Sequence, residues 1–360
     1  MRLLCFIDIL GSGGAQRQLV NLAVGFKKRG CDVSFLAYHA DDFYLPLLRD
    51  NGIRLELIEE KSYLKRLLAC RRFIRRGGFD AVLAFLEAPA FIAEFAGFPF
   101  RKWKLVVGER STNPAILRSI RKRLFRLFHV FADCVVSNSE ANRDLVKRVN
   151  PFLPDRRNVV IYNTYDLEAL SPARFAADRQ EDGKFHIVVA ASHQRLKNLK
   201  NLALAISSLD RSLQDRLSVD WYGRQVKECF EENVRTVEEL GLTDVIRFYP
   251  PTLDIYDKMA GADAVGLFSL YEGLSNTVCE AMCLGKPVLA TDVSDNRLLL
   301  KDDRLISDAS SPRSIAGTVS YLMSLPEEEL KAIGRRNRNR AEELFSEDRI
   351  IGQYLSCFDR

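Results

Sequence analysis

The chain of 360 residues predicts an α/β architecture of two similar domains, each built on a parallel, doubly wound sheet. Three observations point that way. The length exceeds the size at which a single hydrophobic core keeps growing, so two domains are the default. Short apolar runs alternate with amphipathic segments, the pattern of strand–helix–strand units. That alternation stops once, in a proline-bearing and polar region, and then starts again.

Leu3 to Ile9 reads as the first strand, Gly11 to Gly14 as a turn, and Gln16 to Arg29 as a helix ended by Gly30. Met1 to Ile9 is apolar but runs directly into the glycine-rich turn, so it reads as a buried strand and not as a signal peptide. Asp32 to Tyr38, Asp80 to Phe85, Lys104 to Gly108 and Cys134 to Ser137 follow as strands. Around Asn150 to Pro154 the chain turns polar. Val159 to Tyr162 makes a short strand, and a polar stretch from Ala176 to Lys184 leads into a new start at Phe185 to Ala191. Val219 to Tyr222, Val245 to Tyr249, Ala264 to Phe268 and Pro287 to Ala290 continue the series. The boundary falls near residues 165–184, which gives domains of 1–165 and 166–345. A closing helix is expected at Arg336 to Phe345, with a tail from Ser346.

Hydrophobic residues make up 47% of the chain and charged residues 28%, enough for a sizeable core in a soluble protein. No apolar run approaches the ~18–20 residues that cross a bilayer. The cysteines (Cys5, Cys31, Cys70, Cys134, Cys229, Cys279, Cys283, Cys357) scatter through apolar elements without Cys-x-x-Cys pairs. Reduced, buried thiols in a cytoplasmic protein are the expectation. Cys279 and Cys283 lie one helical turn apart with no second ligand pair near, a spacing that reads as core packing. The histidines (His39, His129, His186, His193) are dispersed and form no ligand cluster. The net charge of +5 hides a polarity. Residues 1–160 hold 28 Lys and Arg against 16 Asp and Glu, or +12, whereas the remaining 200 hold 25 against 32, or −7. Such halves meet different partners.

The segment from Leu267 to Ala290 carries most of the chemistry. The strand ends in a turn with Glu272, Gly273, Ser275 and Asn276, and a short helix starts near Asn276 or Thr277 and stops at Gly285. A helix start aims unpaired backbone N–H groups at one point, where an anion such as a diphosphate can sit. Glu272 in the loop and Glu280 in the helix bracket that point. Each carboxylate can accept hydrogen bonds from hydroxyls, a sugar on one side and a ribose on the other.

Glu-Gly-Leu-x4-Cys-Glu-Ala, followed by Gly-Lys-Pro-Val and Ala-Thr-Asp, resembles the Glu-x7-Glu signature of retaining family 4 glycosyltransferases with the GT-B fold. The resemblance is to members of the bacterial polysaccharide and lipid-linked glycan type. It implies two Rossmann-like domains facing each other across a cleft, with the tail of about 346–360 packing back onto the first. It assigns Glu272 to the donor sugar, Gly273, Leu274, Ser275 and Asn276 to the diphosphate, and Glu280 to the ribose. Gly13-Gly-Ala-Gln-Arg resembles the family's first loop, usually Gly-Gly-Ala-Glu-Arg, whose glycine backbone, here Gly14 beside Gly13, lies against the diphosphate across the cleft. Gly223 joins the donor-binding set.

After the strand ending at Ala191, family members place an arginine and a lysine that neutralise the leaving diphosphate. Here the run is Ser192-His-Gln-Arg-Leu-Lys-Asn-Leu-Lys200, and its spacing departs from the common form. Matching the following helix by Ala205 puts the lysine–asparagine pair at Lys197 and Asn198, with Arg195 as substitute arginine. Pairing Arg195 with Lys200 is the alternative register. Fixed cations suit a leaving group that gains negative charge.

In the first domain, Glu109 and Arg110 follow a buried strand. Many relatives carry a histidine where this chain has Arg110, which cannot serve as a general base at neutral pH. Glu109 reads equally as a base or as a salt-bridge partner. Asn138, Ser139 and Glu140 match the next strand end of the family. Gly11-Ser-Gly-Gly-Ala lacks the third glycine of a dinucleotide fingerprint, because position 16 is Gln16, and no P-loop pattern occurs. No Asp-x-Asp occurs either, so neither a metal nor any other cofactor is expected.

Arg118 to Phe131 interleaves cations with bulky apolar residues. On a helix Ile120, Leu124, Leu127 and Phe131 gather on one side, with Arg118, Arg121, Lys122 and Arg126 elsewhere, and Leu64 to Arg76 repeats the theme with Arg71, Arg72, Arg75 and Arg76. Basic amphipathic helices suit anionic membrane surfaces, and no nucleic-acid module is visible. The expectation is a peripheral enzyme on the cytoplasmic face of the membrane. It would transfer a sugar from a nucleotide donor, a UDP-sugar, to a glycan or polyprenyl-diphosphate-linked acceptor. The rivals are a nucleotide-sugar epimerase of the same fold and a non-catalytic partner of a polysaccharide assembly complex.

Overall fold

The computed structural model describes residues 1–175 and 182–359. Of the polar stretch expected from Ala176 to Lys184, residues 176–181 lie outside the described residues. The chain divides into two compact units, Met1–Thr164 with Glu347–Arg360, and Tyr165–Ser346.

The first unit holds β1 (Arg2–Phe6), β2 (Asp32–Ala37), β3 (Arg54–Leu57), β4 (Ala81–Phe85), β5 (Lys104–Glu109), β6 (Cys134–Ser137) and β7 (Asn158–Val160). They form one sheet in the order β3-β2-β1-β4-β5-β6-β7, with every pairing parallel. The second holds β8 (Phe185–Ala190), β9 (Leu217–Tyr222), β10 (Ile246–Tyr249), β11 (Ala264–Leu267), β12 (Val288–Thr291) and β13 (Ile306–Ser307). Their order is β10-β9-β8-β11-β12-β13, again all parallel. The doubly wound architecture is the one the alternation predicts.

Helices on both faces of a parallel sheet bury its strands twice over, which is why they read as unbroken apolar runs. In β1, Leu3 and Cys5 enter the core on one face while Leu4 and Phe6 enter the core on the other. β3 and β13 escaped the sequence for opposite reasons. β3 is an edge strand with no buried residue, and β13 is two residues long, too short for a pattern.

The helix Gly14–Lys28 packs against the last helix of the chain, Glu347–Phe358. Ile350, Ile351, Tyr354, Cys357 and Phe358 join the core that contains Leu19, Leu22, Ala23 and Phe26. The approach is close: a Cβ on Gly25 would stand 2.6 Å from the Ile351 side chain. Burial of each large apolar side chain is worth about 1.5–3 kcal/mol, so this helix completes the first unit's core. Lys28 pairs with Glu347 at 3.2 Å, and Arg29 pairs with Asp348. Among the described residues no helix is long and apolar enough to cross a membrane.

Each sheet reverses its strand order once, between β1 and β4 in the first unit and between β8 and β11 in the second. Loops leaving the carboxyl ends of two such strands diverge to opposite faces and open a crevice, the usual ligand position of doubly wound sheets.

Candidate active site

The loops after β8 and β11 leave side by side at the second unit's reversal point. The β8 loop makes a turn at Arg195–Lys197 and ends at Asn198, whose φ of 64° is left-handed. Asparagine tolerates that conformation better than most residues. Its buried amide donates to the carbonyls of Phe268 at 2.9 Å and Ala309 at 2.8 Å. The Leu270 N–H donates to the Leu196 carbonyl at 2.8 Å. These bonds bring Lys197 Nζ within 2.5 Å of Glu272 Oε1, which also accepts from Ser269 Oγ at 2.7 Å. The lysine and glutamate side chains are only 20% and 15% exposed, so solvent and salt screen the pair less than a surface pair.

The helix Asn276–Cys283 begins immediately beyond. Its N-cap, Ser275, makes no side-chain cap bond, and among the described residues the amides of Gly273, Leu274 and Ser275 find no backbone acceptor. The loop is held by its other groups. The Ser294 hydroxyl donates to the Gly273 carbonyl, Thr277 Oγ1 to Ala190 O at 3.0 Å, and the Tyr165 hydroxyl to Asn276 Oδ1 at 2.7 Å. Glu280 is buried one turn into the helix and accepts from the Tyr256 hydroxyl at 3.3 Å. Behind it Cys279 and Cys283 are core residues whose thiols burial pushes up. Open amides beside a lysine make an anion site.

Gly223 follows β9, where a Cβ would meet the Ala191 carbonyl oxygen at 1.9 Å. Only glycine lets β9 pass the end of β8 so closely. Arg195 does not join the cluster: it is 80% exposed and pairs with Glu232 at 3.1 Å. Lys200 is exposed on the first turn of the helix Leu199–Ser207. Of the three cations weighed from the sequence, Lys197 alone meets Glu272.

In the first unit Gly13 N-caps the helix Gly14–Lys28 without a side-chain bond, at the carboxyl side of β1 and thus at that unit's reversal point. After β4, Leu86 takes a φ of 74°. A non-glycine residue there costs about 1–3 kcal/mol and tends to mark functional ground.

β5 ends in Glu109 and Arg110. The Glu109 carboxylate receives Arg126 Nη2 at 2.8 Å and lies 2.9 Å from His129 Nε2. His129 Nδ1 lies 2.6 Å from Glu94, and Arg126 Nη1 donates to Glu87 at 3.0 Å. Burial alone would raise the Glu109 carboxyl, but Arg126 and His129 outweigh it and hold it below the usual carboxylate range. Burial would lower His129, but Glu94 and Glu109 push it up to about 9. Of the two roles open to Glu109, this geometry favours the salt bridge, since a strongly held carboxylate is a weak base.

Arg110 donates from Nη1 to Asn163 Oδ1 at 2.8 Å and from Nη2 to the Tyr354 hydroxyl at 2.5 Å, with its guanidinium carbon 3.8 Å from the centre of the Phe85 ring. The closing helix of the chain thus reaches the end of β5. One surface expectation needs correction: Arg126 is not a solvated cation but is buried in the ion network. At the end of β6 Ser139 is buried, and its hydroxyl accepts from Asn142 N at 3.1 Å to cap the helix Glu140–Val149, while Asn138 accepts from the Asn142 side-chain amide. Ser269, Leu86 and Tyr354 were not read from the sequence. Tyr354 carried a faint signal, a polar-tipped aromatic inside an apolar tail, and the others carried none.

Two family models match the chain in tandem, Glycosyltransferase Family 4 over residues 12–169 and Glycosyl transferases group 1 over residues 172–340. The N-acetylgalactosamine-N,N'-diacetylbacillosaminyl-diphospho-undecaprenol 4-alpha-N-acetylgalactosaminyltransferase of Campylobacter jejuni is 28% identical over 313 residues, 83% of each chain. The MMP alpha-(1->4)-mannosyltransferase of Mycolicibacterium hassiacum is 25% identical, covering 79% of this chain and 72% of that one. Among solved structures, Anabaena HepE in complex with UDP matches with a TM-score of 0.86 at 19% identity over 99% of both chains. Sucrose-phosphate synthase from Thermosynechococcus elongatus matches at 0.79 and 15% identity, over 100% of this chain and 98% of that one. These structural likenesses concern the fold. Matched along nearly its whole length in sequence and in fold, the chain belongs to the family 4-type glycosyltransferases of GT-B architecture.

Proposed function

We propose that this protein is a retaining hexosyltransferase that moves a sugar from a UDP-sugar to a lipid-linked saccharide or glycan in cell-surface polysaccharide synthesis. The observation that carries the reading is the Lys197–Glu272 pair set beside the amides of Gly273, Leu274 and Ser275 at the reversal point of the second sheet. The diphosphate gains negative charge as it leaves, and a preorganised ammonium with main-chain N–H groups stabilises that charge where it develops. Glu272 accepts hydroxyls of the sugar, and Glu280, held by Tyr256, accepts those of the ribose.

The acceptor hydroxyl attacks the anomeric carbon from the face the diphosphate leaves. The new C–O bond forms as the sugar–phosphate bond breaks, and the departing phosphate oxygen takes the hydroxyl proton. No side-chain nucleophile or base enters. That fits a first unit whose Glu109 is tied up by Arg126 and His129 and whose Arg110 stays protonated. Lys197 and the amides supply the charge a divalent ion would otherwise bring. Two relatives support donor and acceptor class by name, one solved with UDP and one whose name includes diphospho-undecaprenol. A lipid-borne acceptor places the enzyme at the inner face of the cytoplasmic membrane.

The test is transfer from a panel of UDP- and GDP-sugars to extracted lipid-linked saccharide, with EDTA present and the product examined by NMR. The expected result is transfer from one UDP-sugar with the donor's anomeric configuration kept. An inverted product or a need for added metal would sink the mechanism. Interconversion of UDP-sugars without acceptor would make the protein an epimerase, and donor binding without turnover would make it a non-catalytic partner.

A further inference from the structure

We infer that the first unit carries a lipid-docking surface, formed by the Phe98–Phe100 loop and the outward stripe of the helix Ile120–Leu127, whose occupant is a bilayer bearing anionic headgroups. The inference rests on the reading above, in which the acceptor is lipid-borne, and gives that reading a physical site.

The helix Ile120–Leu127 turns Phe125 and Arg126 inward and leaves an apolar stripe outward among exposed cations. Ile120 is 84% exposed, and Leu124, Leu127 and then Phe131 follow at helical spacing, all exposed. On its inner side lies a cation, Arg126, paired with Glu87 and Glu109. An amphipathic helix ordinarily buries the apolar stripe and solvates the charge. Here a buried ion pair and Phe125 fix the inner side, and Ile120, Leu124 and Leu127 are left facing out.

That stripe continues onto the loop. The rings of Phe131 and Phe98 meet edge-on at 4.7 Å, and Phe100 beyond them is 82% exposed. The loop is clamped. Arg75 Nη1 donates to the carbonyls of Ala96, Phe98 and Phe100 at 2.9, 3.0 and 3.0 Å, Arg71 to that of Phe98 at 2.9 Å, and Arg101 to that of Phe131 at 2.6 Å. Three of the arginines that the sequence offered as a cationic face are thus struts: Arg126 is buried, while Arg71 and Arg75 stay at the surface and spend donors on the loop carbonyls. Their work is to present aromatic side chains outward.

The segments that build this ridge carry charge of one sign. Residues 61–79, 95–108 and 110–132 contain 16 Lys and Arg and no Asp or Glu. Acids on the neighbouring elements are engaged, Glu87 and Glu109 with Arg126, Glu94 with His129, Asp133 with Arg101, and Glu140 and Asp144 with Arg143. Lys65, Arg72, Lys102, Arg118, Arg121 and Arg123 remain on the surface. A second copy would bring the same positive sign face to face, so self-association is disfavoured. Aromatic and aliphatic tips set among Lys and Arg match a membrane interface, where the tips enter the acyl boundary and the cations meet headgroup phosphates.

The full chain is floated at physiological salt with vesicles of phosphatidylcholine alone or mixed with phosphatidylglycerol. We expect capture by the anionic vesicles only, reduced about tenfold or more in Phe100→Ser/Ile120→Ser and in Arg118→Gln/Arg123→Gln. Sugar transfer to a short, soluble acceptor should be unchanged in both. Capture of the serine variant at the wild-type level, equal capture by neutral vesicles, or no capture at all overturns the inference. So does a concentration-dependent dimer that Phe100→Ser abolishes, which would give the ridge to a second copy. A protein that floats as expected yet transfers no sugar leaves this surface standing and removes the proposed activity instead.

Discussion

In the second unit, Lys197 and Glu272 meet on two loops at the reversal of the sheet, partly open to solvent and next to amides that have no backbone acceptor among the described residues. In the first, Glu109, Arg126, His129 and Glu94 meet behind the end of β5, buried and bonded to one another. The sheet plan is shared, yet the charges serve different ends. A charge that must receive a ligand stays reachable from solvent. A charge that must hold a helix and a strand end in place is desolvated, and it persists only because partners surround it. Net charge follows the same division. The first unit holds 30 Lys and Arg against 19 Asp and Glu, or +11, and the second 23 against 29, or −6.

The contrast can be broken from either side. The largest effect is expected in the buried network. Arg126→Ala leaves Glu109 without its strongest partner and should cost about 3–5 kcal/mol of stability in denaturant unfolding. A variant that unfolds at the wild-type midpoint would mean the network is no scaffold. Next comes Lys197→Ala, which should lower kcat by about 10²–10³ while its unfolding midpoint moves far less than that of Arg126→Ala. Loss of stability without loss of turnover would reverse the assignment of the two units.

The third effect is in pH. His129 titrates near 9 in the folded protein, above the ordinary 6.5. A raised value means the folded state holds the proton more tightly. The stabilisation is therefore complete below pH 6.5 and lost as pH rises through about 9, with an upper size of about 3 kcal/mol. Melting temperature should fall across that window, and His129→Gln should flatten the fall although it lowers stability overall. A wild-type profile flat from pH 6.5 to 9.5 would show that His129 is neutral. The smallest effect sharpens the site itself. Arg195→Ala removes an exposed pair with Glu232 and should leave turnover within about a factor of three. A collapse like that of Lys197→Ala would put Arg195 in the phosphate grip after all.

Much of the fold could be read ahead of any coordinates. Strands covered on both faces must be apolar throughout, so β1, β4, β5, β8 and β11 announce themselves as runs, and Gly30 and Gly285, both at positive φ, mark helix ends. Edge and very short strands, β3 and β13, have no such constraint and left no mark. The turn–helix of Glu272 to Cys283 was legible because both its signals, a helix start and its stopping glycine, lie within one local segment.

The basic helices misled, because composition does not say which way a helix is turned. Arg126 and Ile120 are six residues apart, on a helix whose pattern fits burial of either face. The pattern could not tell that Glu87 and Glu109, distant in sequence, would draw the arginine inward. Nor could it tell that Arg71 and Arg75 would spend their donors on the Phe98–Phe100 carbonyls.

Local order, then, belongs to the residue string: where strands run, where helices start and stop, and which turn exposes its amides. Pairing of charges does not. Lys197 is 75 residues from Glu272, and Arg110 is 244 from Tyr354. Attraction between such groups depends on separation in space and on how much water is removed around them. Both are set when the sheets and helices pack, and neither can be counted along the chain.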